Sequence, residues 1–490
     1  MTFFERASGR LGRGVALWGG AIVAAVALSF WPALQQTYWW YPETEAYWFW
    51  IMAVVVLAAL SFRRPPKLGL DIAWGALVAI CFSGLISLTR DLLRITSGAD
   101  LTRGALLGAR RRLAGEAVYD LRGFDESVNA APFFIVSLVP LALLTDQQAV
   151  AVFVGVSVLS LLVFVIWGPR YLGGHLGLPS RFWHHALFLI ALTTYGAFQR
   201  SWRLGQVDTL LVAILAMVPI SVTSPRSWRW YLSPVAAGLA VALKIAPALA
   251  FVPALVRAFF HTERALYRRW LAVAFAVVLG TTAFAGVVLG PAELSRFARN
   301  VTLLSQGTTS GNNYSLAARI STYGRRKLRS THHPLPAKGR RLSGIVAAFS
   351  LAGLFFLLAR LRRAKMGLLM AISLASLPLV TPTCWDIYLL WGGALPAIIA
   401  WLSLLARRRA LGPQPEDTLR AIALLGGYLL AGTMGNTVHR DYASGVVVQL
   451  KLPVWLDELP TVGHLLLLAA LVSVALRDQR HPLAEDSTAA

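Results

Sequence analysis

The stretch RRPPKLGLDIAWGALVAICFSGLISLTR, residues 63–90, decides the fold. A basic turn, RRPPK, leads into an apolar run from 68 to 90 that is long enough to cross a hydrocarbon layer as a helix. Backbone groups in lipid must be hydrogen-bonded within their own segment, so such a run is helical. The pattern recurs. Apolar segments lie near 14–34, 46–62, 68–90, 131–147, 148–167, 184–199, 206–223, 232–256, 269–291, 343–360, 366–381, 386–405, 419–437 and 462–478. The expected fold class is all-α, a polytopic integral membrane protein of about 12–14 transmembrane helices.

Composition excludes a soluble protein, because 57% hydrophobic and 14% charged residues leave too little charge to cover the apolar surface. The net charge of +23 is not a nucleic-acid signal. Its Arg and Lys residues cluster in short turns: RRPPK, RLRRAK (360–365) and ARRRA (406–410). That is the positive-inside pattern, and it also suits anionic lipid headgroups. Cys81 and Cys384 support neither a disulfide framework nor a zinc site, and no cofactor or metal is expected. The 17 Trp residues fit interfacial belts. The N-terminus, MTFFERASGRLGRG, reads as the basic inner flank of a first membrane helix rather than a cleaved signal.

If every segment crosses, both termini and the basic turns are cytoplasmic. The polar stretches 91–130, 292–342 and 438–461 then lie outside. Two segments leave alternatives open. The 131–147 segment is short enough to be re-entrant, and 232–256 carries Lys244 and Pro247 mid-run, as a broken helix would. Either change flips the loops between them. The 292–342 stretch holds RRKLR and KGRR, so it either meets phosphates or lies on the other side.

Five short motifs could carry chemistry. DLTRGALLGARRRLAGEAVYD (100–120) sets Asp100 before an amphipathic helix with an apolar side and a side of Arg103, Arg110, Arg111 and Arg112. Such a helix lies in the interface against headgroups. Asp100 there reads either as a general base or as a helix N-cap. RLGQVD (203–208) places Gln206 and Asp208 at a helix start, as ligand groups or as caps. VALKIAP (241–247) buries Lys244 in an apolar run. An intramembrane Lys is paired, lines a cavity or snorkels, and it can hold a phosphate. GNNYSLAARI (311–320) offers Asn312, Asn313, Ser315 and Arg319 to sugar hydroxyls or phosphate, and Asn313-Tyr-Ser also matches a glycosylation acceptor. TPTCWDIY (381–388) offers Trp385 for stacking on a sugar and Asp386 for its hydroxyls, or else it is a proline break with an interfacial Trp.

In this order the motifs resemble glycosyltransferase family 87, the polyprenol-phosphate-mannose-dependent α-mannosyltransferase type with the GT-C fold. The family's outer-face Asp, small-residue stretch, Tyr and aromatic-Pro helix entry are matched by Asp100, Gly115, Tyr119 and Pro132 in NAAPFF. Its later GQxN, KxxP, NxS and S-P-x-S-W-D-H-H elements resemble Gly205 to Asp208, Lys244 to Pro247, Asn312 to Ser315 and Thr381 to Tyr388. The likeness runs from about 70 to 405. The sequence departs from the pattern with Asp208 in place of Asn, Ile387 and Tyr388 in place of two histidines, and an extra hairpin at 14–62.

The resemblance implies an inverting transfer of a hexose such as mannose, from a polyprenyl-phosphate donor to a lipid or glycan acceptor, on the outer face of the cell membrane. It implies Asp100 as catalytic base. Tyr119, Gln206, Asp208, Lys244, Asn312, Asn313, Ser315, Arg319, Trp385 and Asp386 would bind substrates. Residues 1–66 would be an N-terminal hairpin, 67–410 the catalytic region, and 411–490 a C-terminal hairpin and tail. The expected partners are the lipid-linked donor, the acceptor and membrane lipids, without nucleic acid. Competing readings are a flippase or transporter for a lipid-linked sugar, and a non-catalytic scaffold for envelope assembly.

Overall fold

The structure, a computed structural model, describes residues 17, 19–21, 23–25, 45–63, 68–94, 100–119, 130–175, 178, 182–220, 229–304, 313, 315–322, 335–381, 384, 388–432, 438–440, 447–449 and 459–480. The protein is an all-α polytopic membrane protein. Its helices, in order, are α1 (Glu45–Arg63), α2 (Leu68–Arg94), a π-helical turn (Leu101–Ala105) running into α3 (Leu106–Leu113), α4 (Pro132–Ser137), α5 (Val139–Ala142) and α6 (Asp146–His175). Then come α7 (Phe182–Thr193), α8 (Gly196–Arg203), α9 (Asp208–Met217), α10 (Arg229–Leu243), a 3-10 segment (Ala246–Phe251) with α11 (Val252–Phe260), α12 (Arg264–Leu289) and α13 (Pro291–Leu304). The last are α14 (Leu316–Thr322), α15 (Ala337–Arg360), α16 (Met366–Ala375), α17 (Leu377–Val380), a second π-helical turn (Leu390–Ala394) with α18 (Leu395–Leu411), α19 (Pro415–Gly432) and α20 (Leu459–Arg480). Strands β1 (Val438–Arg440) and β2 (Val447–Gln449) form a small antiparallel hairpin, a minor addition to the helices expected.

Among the described residues, six helical units are long and apolar enough to cross a membrane: α2, α6, α12, α15, α20, and α18 with its π turn. Shorter apolar helices fill the bundle, including α7, α9, α10, α11 and α16. A helix of ten residues covers only about 15 Å, half of the hydrocarbon layer.

Two expected crossings are not crossings. The 131–147 segment breaks at Leu138 into the six-residue α4 and four-residue α5, together too short to span. Pro140 lacks the N–H that a continuous helix would use, and it starts the new helix instead.

The 232–256 segment is a hairpin. α10 runs parallel to α12: Trp230 and Tyr231 lie against Arg269, Trp270 donates to Ser233 Oγ, and Gly238 faces Ala274 and Val277. Beyond Lys244 the chain runs antiparallel to α12. Phe251 packs on Phe275 and Trp270, and Arg257 reaches back to Tyr267. The tip is therefore at Lys244–Ile245. Extending the pairing places Lys244 roughly 10 Å short of the far end of α12.

The two corrections cancel. The described turns 257–269, 360–365 and 406–410 stay on one face, and the helix ends at Arg94, Leu304 and Gly432 lie on the other. Arg170 near the end of α6 and Arg229 at the start of α10 join the basic face, which strengthens the charge asymmetry. From that face α9, α10 and α16 rise only part of the way. Asp208, at the start of α9, and Lys244, just past the end of α10, meet inside the bundle.

Candidate functional site

Asp100 has helical backbone angles and makes no capping hydrogen bond, which removes the N-cap reading. Its Oδ2 instead accepts a 2.6 Å hydrogen bond from Gln206 Nε2. The placement of Gln206 follows from local sequence. Gly205, at φ +64, ends α8 in the left-handed conformation that glycine adopts without a Cβ penalty. The Gly205 amide then donates to Trp202 O and the Gln206 amide to Ser201 O, the paired bonds of a Schellman cap. Leu101 N donates to Leu204 O at 3.3 Å, stitching the Asp100 turn to this cap.

The side chain of Asp100 is open to solvent yet surrounded by protein, so it lines a concave wall. Burial in that wall pushes its carboxyl above the ordinary carboxylate range. The Gln206 hydrogen bond and the charges of Arg200, Lys244 and Arg103 oppose the rise. The arrangement suits a carboxylate that takes a proton while cations stand beside it.

Asp208 and Lys244 form an ion pair. Asp208 is fully buried, and Lys244 Nζ donates to its two oxygens at 2.9 and 3.0 Å. Trp391 Nε1 donates to Oδ1 at 2.9 Å and Ser201 Oγ to Oδ2 at 3.4 Å. Asp208 is thus an ion-pair partner, not a helix cap. Lys244 Nζ also lies 4.4 Å from the centre of the Tyr388 ring, a favourable place for a cation. Pairing makes a half-buried Lys tolerable, and it replaces the snorkelling alternative. Both π-helical turns adjoin the site, one directly after Asp100 and the other carrying Trp391. Such wide turns aim side chains that a regular helix would rotate away.

Asn313 ties two of the motifs together. Its buried Oδ1 accepts from Ser315 N (3.1 Å) and from Cys384 N (2.9 Å). That burial excludes the glycosylation reading. Ser315 Oγ accepts from Ala318 N, so Ser315 caps α14, and Arg319 is buried on the same helix. Tyr119 lies in a separate cluster. Its hydroxyl donates to Ala130 O, its amide and that of Val118 donate to Glu293 Oε2, and its ring packs on Phe297. Asn312, Trp385 and Asp386 fall outside the described residues.

The basic side of α3 has protein partners as well as the expected interface. Arg110 pairs with Asp146 at 2.5 Å and donates to Ala142 O and Leu144 O, while Arg112 donates to Val288 O at 2.6 Å near the end of α12. Cations at helix C-terminal carbonyls are electrostatically favoured. These arginines therefore anchor the segment that carries Asp100.

The model of glycosyltransferase family 87 matches residues 131–382, half of the chain. The chain belongs to glycosyltransferase family 87. It is a membrane glycosyltransferase, and the family's matched region contains Gln206, Asp208, Lys244, Asn313, Ser315 and Arg319, with Asp100 and Tyr119 before it. No curated protein and no solved structure gives a match. Sequence reading missed Trp391, Arg200 and Glu293 as parts of the family member's framework. Of these only Glu293 had a signal, as an acid just after Gly290-Pro291 at a helix start.

Proposed function

We propose that this glycosyltransferase moves a hexose such as mannose from a polyprenyl-phosphate donor to a lipid or glycan acceptor, with inversion. The active site opens on the face opposite the basic turns, which is extracytoplasmic in the cell membrane by the positive-inside rule. Region 67–410, with a GT-C-like arrangement, is the catalytic unit, and the terminal hairpins flank it. The observation that carries the reading is an uncapped carboxylate, Asp100, oriented by Gln206 beside Arg103, Arg200 and Lys244.

In this mechanism Asp100 takes the proton of the acceptor hydroxyl as its oxygen attacks the anomeric carbon. The bond from that carbon to the phosphate oxygen breaks, and the lipid phosphate leaves. A phosphate leaves without prior protonation, so one carboxylate suffices where glycosidases use two. The cations stabilise the charge that develops on the leaving group. Two of the three Lys244 donors face Asp208, which leaves the third for a phosphate oxygen. Because Asp208 balances Lys244, Arg103 and Arg200 with Asp100 give the site a small positive excess suited to a phosphodiester. Asn312, Trp385 and Asp386 are assigned to sugar recognition, and Tyr119 to substrate binding.

The test is transfer of radiolabelled hexose from a synthetic polyprenyl phosphate by the purified protein in detergent. Labelled product with an inverted anomeric centre is expected. Absence of transfer, with movement of the intact donor across proteoliposomes, would instead establish a flippase.

A further inference from the structure

The C-terminal hairpin, α19 and α20, lies beyond the residues that the family model matches, yet it reaches two backbone irregularities on which the site rests. Its two helices touch backbone to backbone. A Cβ on Gly427 would lie 2.7 Å from Leu467 N, and one on Gly463 would collide with Ala431 and Leu430. Close approach through small residues is how membrane helices lock together. The next residues along, Tyr428 and His464, are both buried and reach into the bundle.

Tyr428 Oη donates to Ala191 O at 2.7 Å, just before the break between α7 and α8 at Thr194–Tyr195. His464 Nε2 lies 3.1 Å from Gly392 O, inside the π turn that carries Trp391. A carbonyl only accepts, so Nε2 carries the hydrogen and Nδ1 is left as an acceptor. Tyr195 packs against the same turn: a Cβ on Gly393 would collide with Tyr195 Oη and come within 3.0 Å of His464 Cε1. Among the described residues, Tyr195 Oη and His464 Nδ1, a donor and an acceptor, are buried here without hydrogen bonds of their own.

Gly392 and Gly393 bring no side chains of their own to hold the π turn, and its carbonyls leave the regular α ladder. In an apolar layer each such carbonyl needs a partner. We infer that His464 is a positioning residue for sugar transfer: through Gly392 it holds the π turn whose Trp391 fixes Asp208, and so it sets where Lys244 presents its charge. The inference rests on the reading of Lys244 as a cation for the donor phosphate. It makes the C-terminal hairpin a working part of the site.

The test compares His464→Leu with His464→Gln in the full chain in detergent. The Gln side chain carries an N–H at nearly the reach of Nε2, whereas Leu fills space without a donor. Two quantities are read: backbone hydrogen exchange across 388–394, and binding of radiolabelled polyprenyl-phosphate hexose. Loss of one buried hydrogen bond should speed exchange and weaken donor binding in His464→Leu by about five- to tenfold each. His464→Gln should restore both. Unchanged exchange in His464→Leu overturns the inference. So does equal damage in both variants, or faster exchange with unaltered donor affinity, since either makes His464 a packing residue. Absence of donor binding by the unaltered protein refutes the proposed function instead, and the exchange comparison then still decides whether His464 holds the turn.

Discussion

Asp100→Asn separates a base from a structural carboxylate. Asn keeps the shape of Asp and can still accept from Gln206 through its oxygen, so the 2.6 Å contact survives in weaker form. A charge-assisted hydrogen bond is worth about twice a neutral one, so the structural loss is about 1 kcal/mol, roughly fivefold in any equilibrium it controls. No cap is lost, because Asp100 makes none. Loss of a general base costs roughly 100- to 10,000-fold. The two expectations are therefore separated by more than a factor of ten. The assay is single-turnover transfer of labelled hexose with saturating donor, alongside donor affinity and thermal unfolding. The variant should bind donor, unfold near the normal temperature and fail to transfer. Transfer at a tenth of normal or better would refute the assignment and move the search for the base to Asp386.

Transfer should fall as pH drops, with an acid limb above the ordinary carboxylate range, because burial raises Asp100 and the base works only when unprotonated. Arg200→Gln removes a charge that holds Asp100 down, so the limb of kcat/KM against pH should move to higher pH. Lys244→Met strands the buried Asp208 and should destabilise the protein by about 3–5 kcal/mol, while Lys244→Met with Asp208→Asn should recover most of that in thermal unfolding. In the variant that keeps a stable fold, donor affinity should fall more than saturated turnover. Cysteines at Ala114 and Ala410, both exposed, should label from opposite faces with an impermeant thiol reagent, since Cys81 and Cys384 are buried. Labelling of both from one face would overturn the topology.

Hydropathy made the fold class legible because length and apolarity are what a bilayer selects. It left open, through Lys244 and Pro247, whether 232–256 crosses or turns round. A Lys-Ile-Ala-Pro tip carries no polar loop, and an apolar run of that length looks the same whether it crosses or folds back. For the site, the order of motifs was informative. Those at 100, 203–208, 244, 313–315 and 384–388 form one chain of contacts through Gln206, Lys244, Tyr388 and Asn313. The pairing of Lys244 with Asp208 could have been read from the sequence, since a buried cation requires an anion and Asp208 is an acid at the head of an apolar helix. Trp391 could not, because a Trp in an apolar run looks like one facing lipid until the π turn rotates it onto Asp208. Tyr119 shows what a motif cannot carry: that its hydroxyl donates to Ala130 O and its amide to Glu293.

The short helices under Lys244 also have an electrical meaning. Lys244 stands at the hairpin tip, roughly 10 Å short of the far end of α12, so it lies near one end of the electric profile that α12 crosses. A potential of 100 mV is worth about 2.3 kcal/mol per charge moved through the entire drop. A charge brought to Lys244 from that end would cross only part of the drop and cost only part of that energy. A residue at the tip of a part-way hairpin can thus meet an anion from that end at a small cost from the voltage.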